Sequence, residues 1–455
     1  VLFIGNSINR KGDMIMQYTK TAIVPIHYET TKKKLSYLDN LTARLTYCVR
    51  LWSEIIEKHN INNRKELQNL AFQHRLQKKT ILSSAFVQQC GNKALWMWKQ
   101  YRTTYKKWEW KVKKSKEGTK YHEKLLKREP SIPFSNSKSL LHKVPVRFDY
   151  RTGKIDKAGL EMSEWVINIS ILKKYEKITI FLNASEYHNE LLEEGEIRDF
   201  EIMKRDNKYY VHITCQFEVK DTKPKSITTI DLGINRSVVA VQFSHSKEPK
   251  SIIIEDKEKQ DKLQFYNDLV GELRREEKWD KLKVIRNKRR HISEYYDWIT
   301  AKKVAEFTNE TIVVIGKLTH IRERQYKGNE NKEHRKRMHK WAYERISGCI
   351  QQKVNEKGIE FNRMFESWTS KKCSNCGSYN TTRPVQEAIF CYDCLQGFDA
   401  DMNACPNMAS RYLSKNATDE LAITKDDLKI KPSMSLEAPC ESWCSSHKKT
   451  LEAMT

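Results

Sequence analysis

Two closely spaced cysteine pairs constrain this chain more than any other feature. Cys373 and Cys376 form one CxxC unit, and Cys391 and Cys394 form a second after an interval of fourteen residues. Two CxxC units at this separation can supply four thiolates to one tetrahedral Zn²⁺. We therefore predict a zinc ribbon whose ion is structural, because four thiolates leave no open coordination position for catalysis.

Acidic residues occur in two places where metal chemistry is plausible. Asp399 and Asp401 lie in the sequence DADMNA, a few residues after the second cysteine pair. Asp231 lies far upstream in IDLGIN, where an apolar strand is predicted to end, although such an aspartate could simply initiate a turn. Distant carboxylates of this kind suit Mg²⁺-dependent chemistry on phosphodiesters, in which two ions activate water and stabilise the leaving oxygen.

The charge balance favours a polyanionic partner. The 455 residues carry a formal net charge of +25, and the basic residues occur in runs with aromatic residues among them. Such a charge usually serves nucleic acid through release of counterions from phosphates, although solubility is the simpler explanation. Of the 11 cysteines, those outside the ribbon follow no framework, which indicates a reducing compartment. We expect neither a membrane span nor a signal peptide.

Hydrophobic periodicity divides the chain into segments. Apolar residues at three- and four-residue steps predict helices after an initial strand region, and alternating patterns then predict a small β-domain that ends at a linker near 221–225. From 226 onward, strands and helices follow one another in an order typical of an α/β sheet with parallel strands. The polar tail from about Lys415 is expected to be poorly ordered.

The helix predicted from Ser83 to about Lys116 is rich in tryptophan, tyrosine and lysine. It could be a solvated helix whose aromatic residues lie in a core. It could also be a surface that binds phosphates and stacks on bases, which is the hypothesis we favour. The candidate nucleic-acid-binding residues are Lys106, Lys107, Trp108, Lys111 and Lys113, together with Arg289 and Arg290 from a second basic run.

Taken together, the motifs resemble those of one known family. The sequences IDLGIN (230–235), TSKKCSNCG (369–377), CYDC (391–394) and DMNA (401–404) are similar to those of TnpB. TnpB proteins are transposon-encoded RNA-guided DNA endonucleases, with eukaryotic and viral relatives called Fanzor and descendants among the compact type V CRISPR effectors. The resemblance covers roughly residues 15–413. It implies a RuvC-like (ribonuclease H) nuclease fold, catalytic Mg²⁺, a guide RNA and target double-stranded DNA.

The resemblance also implies a domain order that combines α/β, α and β parts. A wedge domain would contain N-terminal strands within 1–32 and a β part at 129–222, on either side of a helical recognition domain at 33–128. The RuvC-like domain would comprise 223–368 and 399–414, with the zinc ribbon at 369–398 inserted into it and a tail at 415–455.

One departure from the family concerns the middle carboxylate. The family usually has a glutamate where the second core strand ends, and this chain has Gly316 there, in VVIGKL. The next strand ends at Glu366. Parallel strands joined by a right-handed crossover end at the same sheet edge, about 4.8 Å apart, so Glu366 can reach the space beside Gly316. A subset of the family, including many Fanzors, has its glutamate at this later position.

We therefore predict Asp231, Glu366 and Asp401 as catalytic residues that bind two Mg²⁺ ions. The simpler alternative for Glu366 is a solvent-exposed carboxylate at a strand end. Glu360 and Glu323 are weaker candidates, and the DxNA pattern favours Asp401 over Asp399 as the ligand.

The predicted function is Mg²⁺-dependent, RNA-guided cleavage of target DNA. Two alternatives stay open: a nuclease-inactive RNA-guided DNA-binding protein, suggested by Gly316, and a transposase or its accessory protein. The protein could be a monomer or a homodimer. We expect an intracellular location, in the cytoplasm or nucleoid of a prokaryote or in the nucleus of a eukaryotic or viral host. The CxxxC pair formed by Cys440 and Cys444 indicates no particular function.

Overall fold

A computed structural model describes most of the chain, which divides into two compact units. One unit contains residues 18–217, and the other contains 4–17 and 218–455. Among the described residues, no helix is both long and apolar enough to cross a membrane. Glu323, Cys440 and Cys444 lie outside the described residues. The described ranges are 5–8, 14–134, 144–160, 163–172, 176–220, 222–318, 337–384, 387–416 and 421–431.

The first unit contains a group of helices within the segment that we predicted to be helical. The two long helices begin at side-chain caps: the Thr31 hydroxyl accepts the N–H of Lys34, and the Ser83 hydroxyl accepts that of Phe86. The helices are α1 (Lys32–His59), α2 (Arg64–Gln73), α3 (Leu76–Thr80), α4 (Ser84–Lys114) and α5 (Lys120–Leu126). Helices α1 and α4 pack together around buried Trp52, whose indole N–H donates to the Val87 carbonyl at 2.9 Å.

The β elements that precede and follow these helices form two sheets. The five-stranded sheet has the order β1-β2-β8-β7-β3, and the three-stranded sheet has the order β4-β5-β6. Asp206 and Asn207 have φ values of 49° and 61°, which are typical of the tight turn of the predicted hairpin. The elements are β1 (Gly5–Ile8), β2 (Met14–Pro25), β3 (Arg147–Phe148), β4 (Gly153–Leu160), β5 (Ser163–Ser170), β6 (Lys177–Phe181), α6 (Glu186–Glu194), β7 (Glu196–Arg205) and β8 (Lys208–Lys220).

The second unit is built on a mixed five-stranded sheet with the order β11-β10-β9-β12-β13. Strands β9, β10 and β11 are antiparallel, and β12 is parallel to both β9 and β13. The sequence analysis did not predict β11. The elements of this sheet and its helices are β9 (Ser226–Asp231), β10 (Val238–Ser244), β11 (Lys250–Ile254), α7 (Lys257–Arg275), α8 (Trp279–Ile285), α9 (Lys288–Phe307), β12 (Thr311–Lys317), α10 (Tyr343–Asn355) and β13 (Phe361–Phe365).

Three short strands and a helix complete the second unit. Strands β14 (Thr381–Thr382), β15 (Ala388–Cys391) and β16 (Gln396–Asp399) form an antiparallel sheet in the cysteine-rich segment. Helix α11 (Ala400–Asn416) follows β16 directly. The described structure therefore has the mixed α/β content that the sequence predicts.

Helices cover both faces of the five-stranded sheet. Successive residues of β12 point to opposite faces. Val313 and Ile315 join a core that includes Val304 of α9 and Ile350 of α10. Ile312 and Val314 belong to a second core, together with residues of α11 such as Cys405 and Met408. Because β12 is buried on both faces, its residues 312–315 are apolar in succession rather than alternating with polar ones.

The expectation of a poorly ordered tail is wrong for residues 421–431. Leu421, Leu428 and Ile430 are buried in the core cluster that also contains residues of α11. Asp427 accepts backbone N–H groups from Thr424 and Ser246, both at 2.8 Å, and these bonds help to hold its pKa at about 2. Widely spaced apolar residues in a polar segment give no periodic signal, so this packing could not be predicted from the sequence.

Candidate active site and zinc ribbon

The predicted carboxylates occupy one edge of the five-stranded sheet. Ile230 of β9 is in register with Ile315 of β12, so Asp231 and Gly316 come next on neighbouring strands. Gly316 in turn is in register with Met364 of β13, two residues before Glu366. Because these strands are parallel, their carboxyl ends meet at this edge.

Glu366 occupies the space that a side chain at position 316 would need. A Cβ atom placed on Gly316 would lie 2.0 Å from Oε2 of Glu366 and 3.1 Å from its Cδ. Burial raises the pKa of this carboxyl to about 7. Glu366 is therefore not a freely solvated strand-end carboxylate. Glu360 lies before β13 begins, at the other end of the strand, and its Oε1 accepts a hydrogen bond from Asn362 at 2.7 Å.

Asp399 and Asp401 have different surroundings at the start of α11. The Asp399 Oδ1 accepts the backbone N–H groups of Asp401 and Met402, both at 3.0 Å, so Asp399 caps the helix. The Asp399 side chain is almost fully buried, whereas that of Asp401 is 29% exposed. Asp399 therefore caps the helix, and the Asp401 carboxylate is available to the candidate site.

Arg236 connects the loop after β9 with the start of α11. Its guanidinium forms a buried ion pair with Asp399, and its Nη1 lies 3.9 Å from Oδ2 of Asp401. Burial and the charge of Asp399 raise the pKa of Asp401, while the charges of Arg236 and Arg383 act in the opposite direction. Sequence reasoning missed Arg236 because an ion pair between residues 163 positions apart has no local pattern.

The three predicted catalytic carboxylates interact electrostatically. Burial raises the pKa of Asp231 well above its ordinary value, and the charges of Asp401 and Glu366 raise it further. A buried group of like charges is stable only with positive charge beside it, which a divalent cation with oxygen ligands would provide. The donor set of Asp231, Glu366 and Asp401 therefore fits Mg²⁺.

The carboxylates are more widely spread than the ligands of a single-ion site. Within the described part of the chain, the group whose ligand atoms all lie within 4.8 Å of one another consists of the four ribbon cysteines. Carboxylates that share two ions need not converge within one coordination shell. The number of ions stays a prediction.

The four cysteine thiols have the arrangement of a closed zinc site. The Sγ atoms of Cys373 and Cys394 are 3.7 Å apart, and those of Cys376 and Cys391 are 3.5 Å apart. Sulfurs at the corners of a tetrahedron with Zn–S bonds of about 2.3 Å would be separated by about 3.8 Å. Gly377 has a φ of 79°, which lets the first knuckle turn back so that its N–H donates to the Cys373 carbonyl. The residues therefore fit Zn²⁺.

Two asparagines of α11 join the ribbon to the helix that carries Asp401. Asn403 is fully buried; its Oδ1 accepts the Ser374 N–H, and its Nδ2 donates to the Lys372 carbonyl, both at 2.8 Å. Asn407 donates to the carbonyls of Thr369 and Lys372 at 3.0 and 2.7 Å. The sequence analysis included Asn403 only as part of the DxNA pattern and missed Asn407, although the four-residue spacing places both on one helix face.

The aromatic residues of α4 fall into two groups. Trp108 donates its indole N–H to the Leu125 carbonyl at 2.8 Å, and Trp98 donates to the Ser53 hydroxyl at 2.8 Å. Trp96 and Trp110 are 54% and 50% exposed, and each has a lysine ammonium over its ring. Among tryptophans of this helix, Trp96 and Trp110 therefore offer more accessible ring surface than the predicted Trp108.

The predicted basic residues are exposed or paired on the surface. Lys106, Lys107 and Lys111 are exposed, and Lys113 forms an ion pair with Glu109. In the second unit, Arg289 donates to Asn267 at 2.7 Å and Arg290 pairs with Glu294 at 3.4 Å. Their contact with nucleic acid stays a prediction.

Comparisons with known proteins give consistent family matches. Residues 343–408 match the family model described as Cas12f1-like, TNB domain. The chain is 28% identical over 253 residues to the TnpB-like protein aq_aa05 of Aquifex aeolicus (strain VF5), a match that covers 48% of this chain and 78% of the relative. It is also 33% identical over 76 residues to the CRISPR-associated endodeoxyribonuclease Cas12f1 of Sulfoacidibacillus thermotolerans, covering 16% of this chain and 18% of that protein.

Two solved structures illustrate the structural matches. The Cas12f1-sgRNA-target DNA complex matches with a TM-score of 0.33 and 15% identity, over 87% of this chain and 100% of that chain. The mini-RNA-guided endonuclease CRISPR-Cas_phi3 matches with a TM-score of 0.41 and 11% identity, over 87% and 92% of the respective chains. The sequence matches confirm the resemblance to TnpB that the cysteine and aspartate motifs indicate.

Proposed function

We propose that this protein is an RNA-guided DNA endonuclease with a RuvC-like metal site. The observation that carries the proposal is the convergence of Asp231, Glu366 and Asp401 at one sheet edge, where burial and mutual repulsion raise the pKa of Asp231. The names of the relatives, TnpB-like protein and endodeoxyribonuclease, support the same class of activity. The strand order, with three antiparallel strands followed by two parallel ones, is compatible with this nuclease fold.

In this proposal Asp231, Glu366 and Asp401 hold two Mg²⁺ ions. When bound, Mg²⁺ supplies Lewis-acid chemistry that activates water and stabilises the leaving oxygen of a phosphodiester. The protein's own contribution is positional. Arg236 and Asp399 fix the start of α11, and Asn403 and Asn407 fix the ribbon against the same helix. Glu366, which follows β13 directly, supplies its carboxylate to the space that a glutamate on β12 would otherwise occupy.

Recognition of the target is assigned to a guide RNA. Base pairing with the guide supplies sequence specificity, and the protein binds backbone shape and a short adjacent motif on the DNA. The net charge of +25 supports a role in binding both nucleic acids. The helical segment and the β-domain of the first unit are proposed as the recognition and wedge domains.

The test begins with the RNA that copurifies with the protein. Sequencing is expected to reveal a discrete structured RNA with a variable end, and the complex should cleave DNA matched to that end in Mg²⁺. Glu366→Ala should abolish cleavage and preserve DNA binding. The matched control is Glu360→Ala, which alters a carboxylate near the opposite end of the same strand and should leave cleavage unchanged.

Gly316 supports a second candidate function, a nuclease-inactive RNA-guided DNA-binding protein. The two proposals differ in one outcome. If the complex with its RNA binds matched DNA but cuts neither strand in Mg²⁺ or Mn²⁺, the binding protein is the correct assignment. If no discrete RNA copurifies, both proposals are wrong.

A further inference from the structure

The loop that links Glu366 to the zinc ribbon holds a tryptophan in an unusual conformation. Trp368 has a φ of 70°, in the left-handed region that bulky residues seldom adopt. Its side chain is 63% exposed, although tryptophan is highly buried on average. Trp368 therefore combines a strained backbone with a large exposed ring. It lies two positions from the predicted catalytic Glu366, and this combination suggests a role in function.

Hydrogen bonds on both sides of Trp368 fix the loop in this conformation. Arg411 of α11 donates to the carbonyls of Phe365 and Ser367 at 2.7 and 2.9 Å. The Thr369 hydroxyl donates to the Glu366 carbonyl at 2.8 Å. The Trp368 carbonyl accepts the backbone N–H groups of residues 371 and 372, both at 3.1 Å. The exposed ring is therefore held outward by a rigid backbone and is not at the tip of a loose loop.

Positive charge lies directly beside the ring. The Lys371 Nζ is 5.2 Å from the centroid of the Trp368 ring, within the range of a cation–π contact. Nucleic-acid-binding surfaces combine an aromatic face, on which a base stacks, with cations that pair with the flanking phosphates. Trp368 and Lys371 provide both elements, and Glu366 lies at the base of the same loop.

We propose that Trp368 is a stacking platform for a nucleobase of the DNA strand that enters the candidate active site. Lys371 binds a phosphate next to that base. This inference rests on the proposed nuclease function, because it assigns the bound polymer to the strand that is cut. Trp368 is a positioning residue: stacking fixes the strand, so that the phosphodiester near Glu366 is presented to the carboxylates.

The test uses Trp368→Gly, because glycine adopts a φ of 70° without strain while removing the ring. The variant should therefore fold with an unchanged or slightly higher melting temperature. Fluorescence anisotropy would measure binding of a labelled single-stranded oligonucleotide, about ten nucleotides long, by the full-length protein with its copurified RNA, in buffer without added Mg²⁺. We expect the Kd to rise about tenfold or more, consistent with the loss of one base–aromatic stack.

Two further variants separate stacking from loop structure. Trp368→Phe retains a stacking face and should keep most of the affinity. Trp279→Ala removes a ring that is 56% exposed on α8, and it should leave the Kd unchanged. If Trp368→Gly binds the oligonucleotide as tightly as the wild type does, the stacking proposal is wrong.

Cleavage kinetics distinguish failure of this proposal from failure of the proposed nuclease. For a complex that cleaves matched DNA, Trp368→Gly should reduce the single-turnover rate when the protein–RNA complex is subsaturating, with substantial recovery at high concentration of the complex. An unchanged rate at every concentration would overturn the stacking role and leave the nuclease assignment intact. For a complex that never cleaves, a tenfold weaker oligonucleotide affinity would still support base stacking, while the assignment to a cut strand would fail.

Discussion

Replacing Gly316 with alanine tests the central feature of the candidate site. The new Cβ would lie 2.0 Å from Oε2 of Glu366, whereas an ordinary contact needs at least 3.4 Å, so the oxygen must move by about 1.4 Å. The atom in the way is the end of a flexible side chain, which can rotate. The clash therefore displaces the carboxylate and leaves the sheet intact.

The expected effects on stability and on cleavage differ sharply. Forcing a side chain away from its preferred rotamer costs about 0.5–1.5 kcal/mol, and alanine in a strand gains roughly 0.5–1 kcal/mol over glycine. These terms nearly cancel, so we expect the melting temperature to change by no more than about 2–4 °C. A misplacement of about 1 Å can reduce a catalytic rate about 100-fold, and we expect a loss of that order in cleavage.

The assay is single-turnover cleavage of guide-matched DNA by the purified complex, with DNA binding measured in parallel without added Mg²⁺. Gly348→Ala is the matched control, because a Cβ at that position in α10 meets nothing within 4 Å. Cleavage by Gly316→Ala within twofold of the wild type would show that Glu366 does not act from this position. The double variant Gly316→Glu with Glu366→Ala returns the carboxylate to β12 and should cleave at least about tenfold faster than Glu366→Ala alone.

Three further predictions concern charge and metal. The pKa of Glu366 is about 7 in the folded protein against 4.5 ordinarily, so the metal-free protein loses stability as the pH rises from 4.5 to 7 and this carboxyl gives up its proton. Mg²⁺ should therefore raise the melting temperature more at pH 8 than at pH 5.5. Equal shifts at the two pH values would contradict this prediction. Cys376→Ser should lower the zinc content, measured by mass spectrometry, from one ion per chain to well below one, together with a lower melting temperature; full zinc retention would exclude Cys376 as a ligand. Arg236→Gln should lower the free energy of unfolding by about 3–5 kcal/mol in urea denaturation, because it leaves the buried Asp399 without its partner. Arg236→Gln combined with Asp399→Asn should lower it by less. Equal losses would show that the ion pair does not couple the two residues.

The sheet that carries the candidate site was largely predictable from local patterns. Strand β12 contains a short apolar run, and β9 contains a run of β-branched residues, Ile227–Ile230; both are typical of buried strands. Strand β11, with the sequence KSIII, was missed because its only signal is an apolar end after a polar start. Its place at the sheet edge depends on pairing with β10, which involves no local periodicity.

The face of α4 on which each aromatic residue lies could have been determined from the sequence more accurately than we predicted. Trp98, Tyr101, Tyr105 and Trp108 are spaced by three, four and three residues and therefore share one helix face. Their neighbouring rings are 5.2–5.8 Å apart in the structure. This spacing already separates Trp108 from the more exposed Trp96 and Trp110. The hydrogen bond between Trp108 and Leu125, in contrast, depends on how the chain turns back after α4, which the sequence does not specify.

The positions of Asp231 and Glu366 were predictable because they follow from strand direction. Two parallel neighbours in a sheet end at the same edge, so either strand can supply a carboxylate to the space between them. The space holds only one such group: a side chain at position 316 and the present Glu366 carboxylate cannot coexist, as the 2.0 Å approach shows. Gly316 and Glu366 therefore have to be interpreted as a pair.

This pairing bears on the choice between an active nuclease and an inactive binding protein. If the carboxylate on β12 had simply been lost, nothing would require a glycine there, and Glu366 would be free to turn towards solvent. Instead its carboxyl is buried enough to raise the pKa to about 7, and its charge raises the pKa of Asp231. Keeping like charges together in a buried place is unfavourable unless cations neutralise them. The absence of a carboxylate on β12 is thus weak support for inactivity, and the electrostatic cost of the three carboxylates favours a site that binds metal.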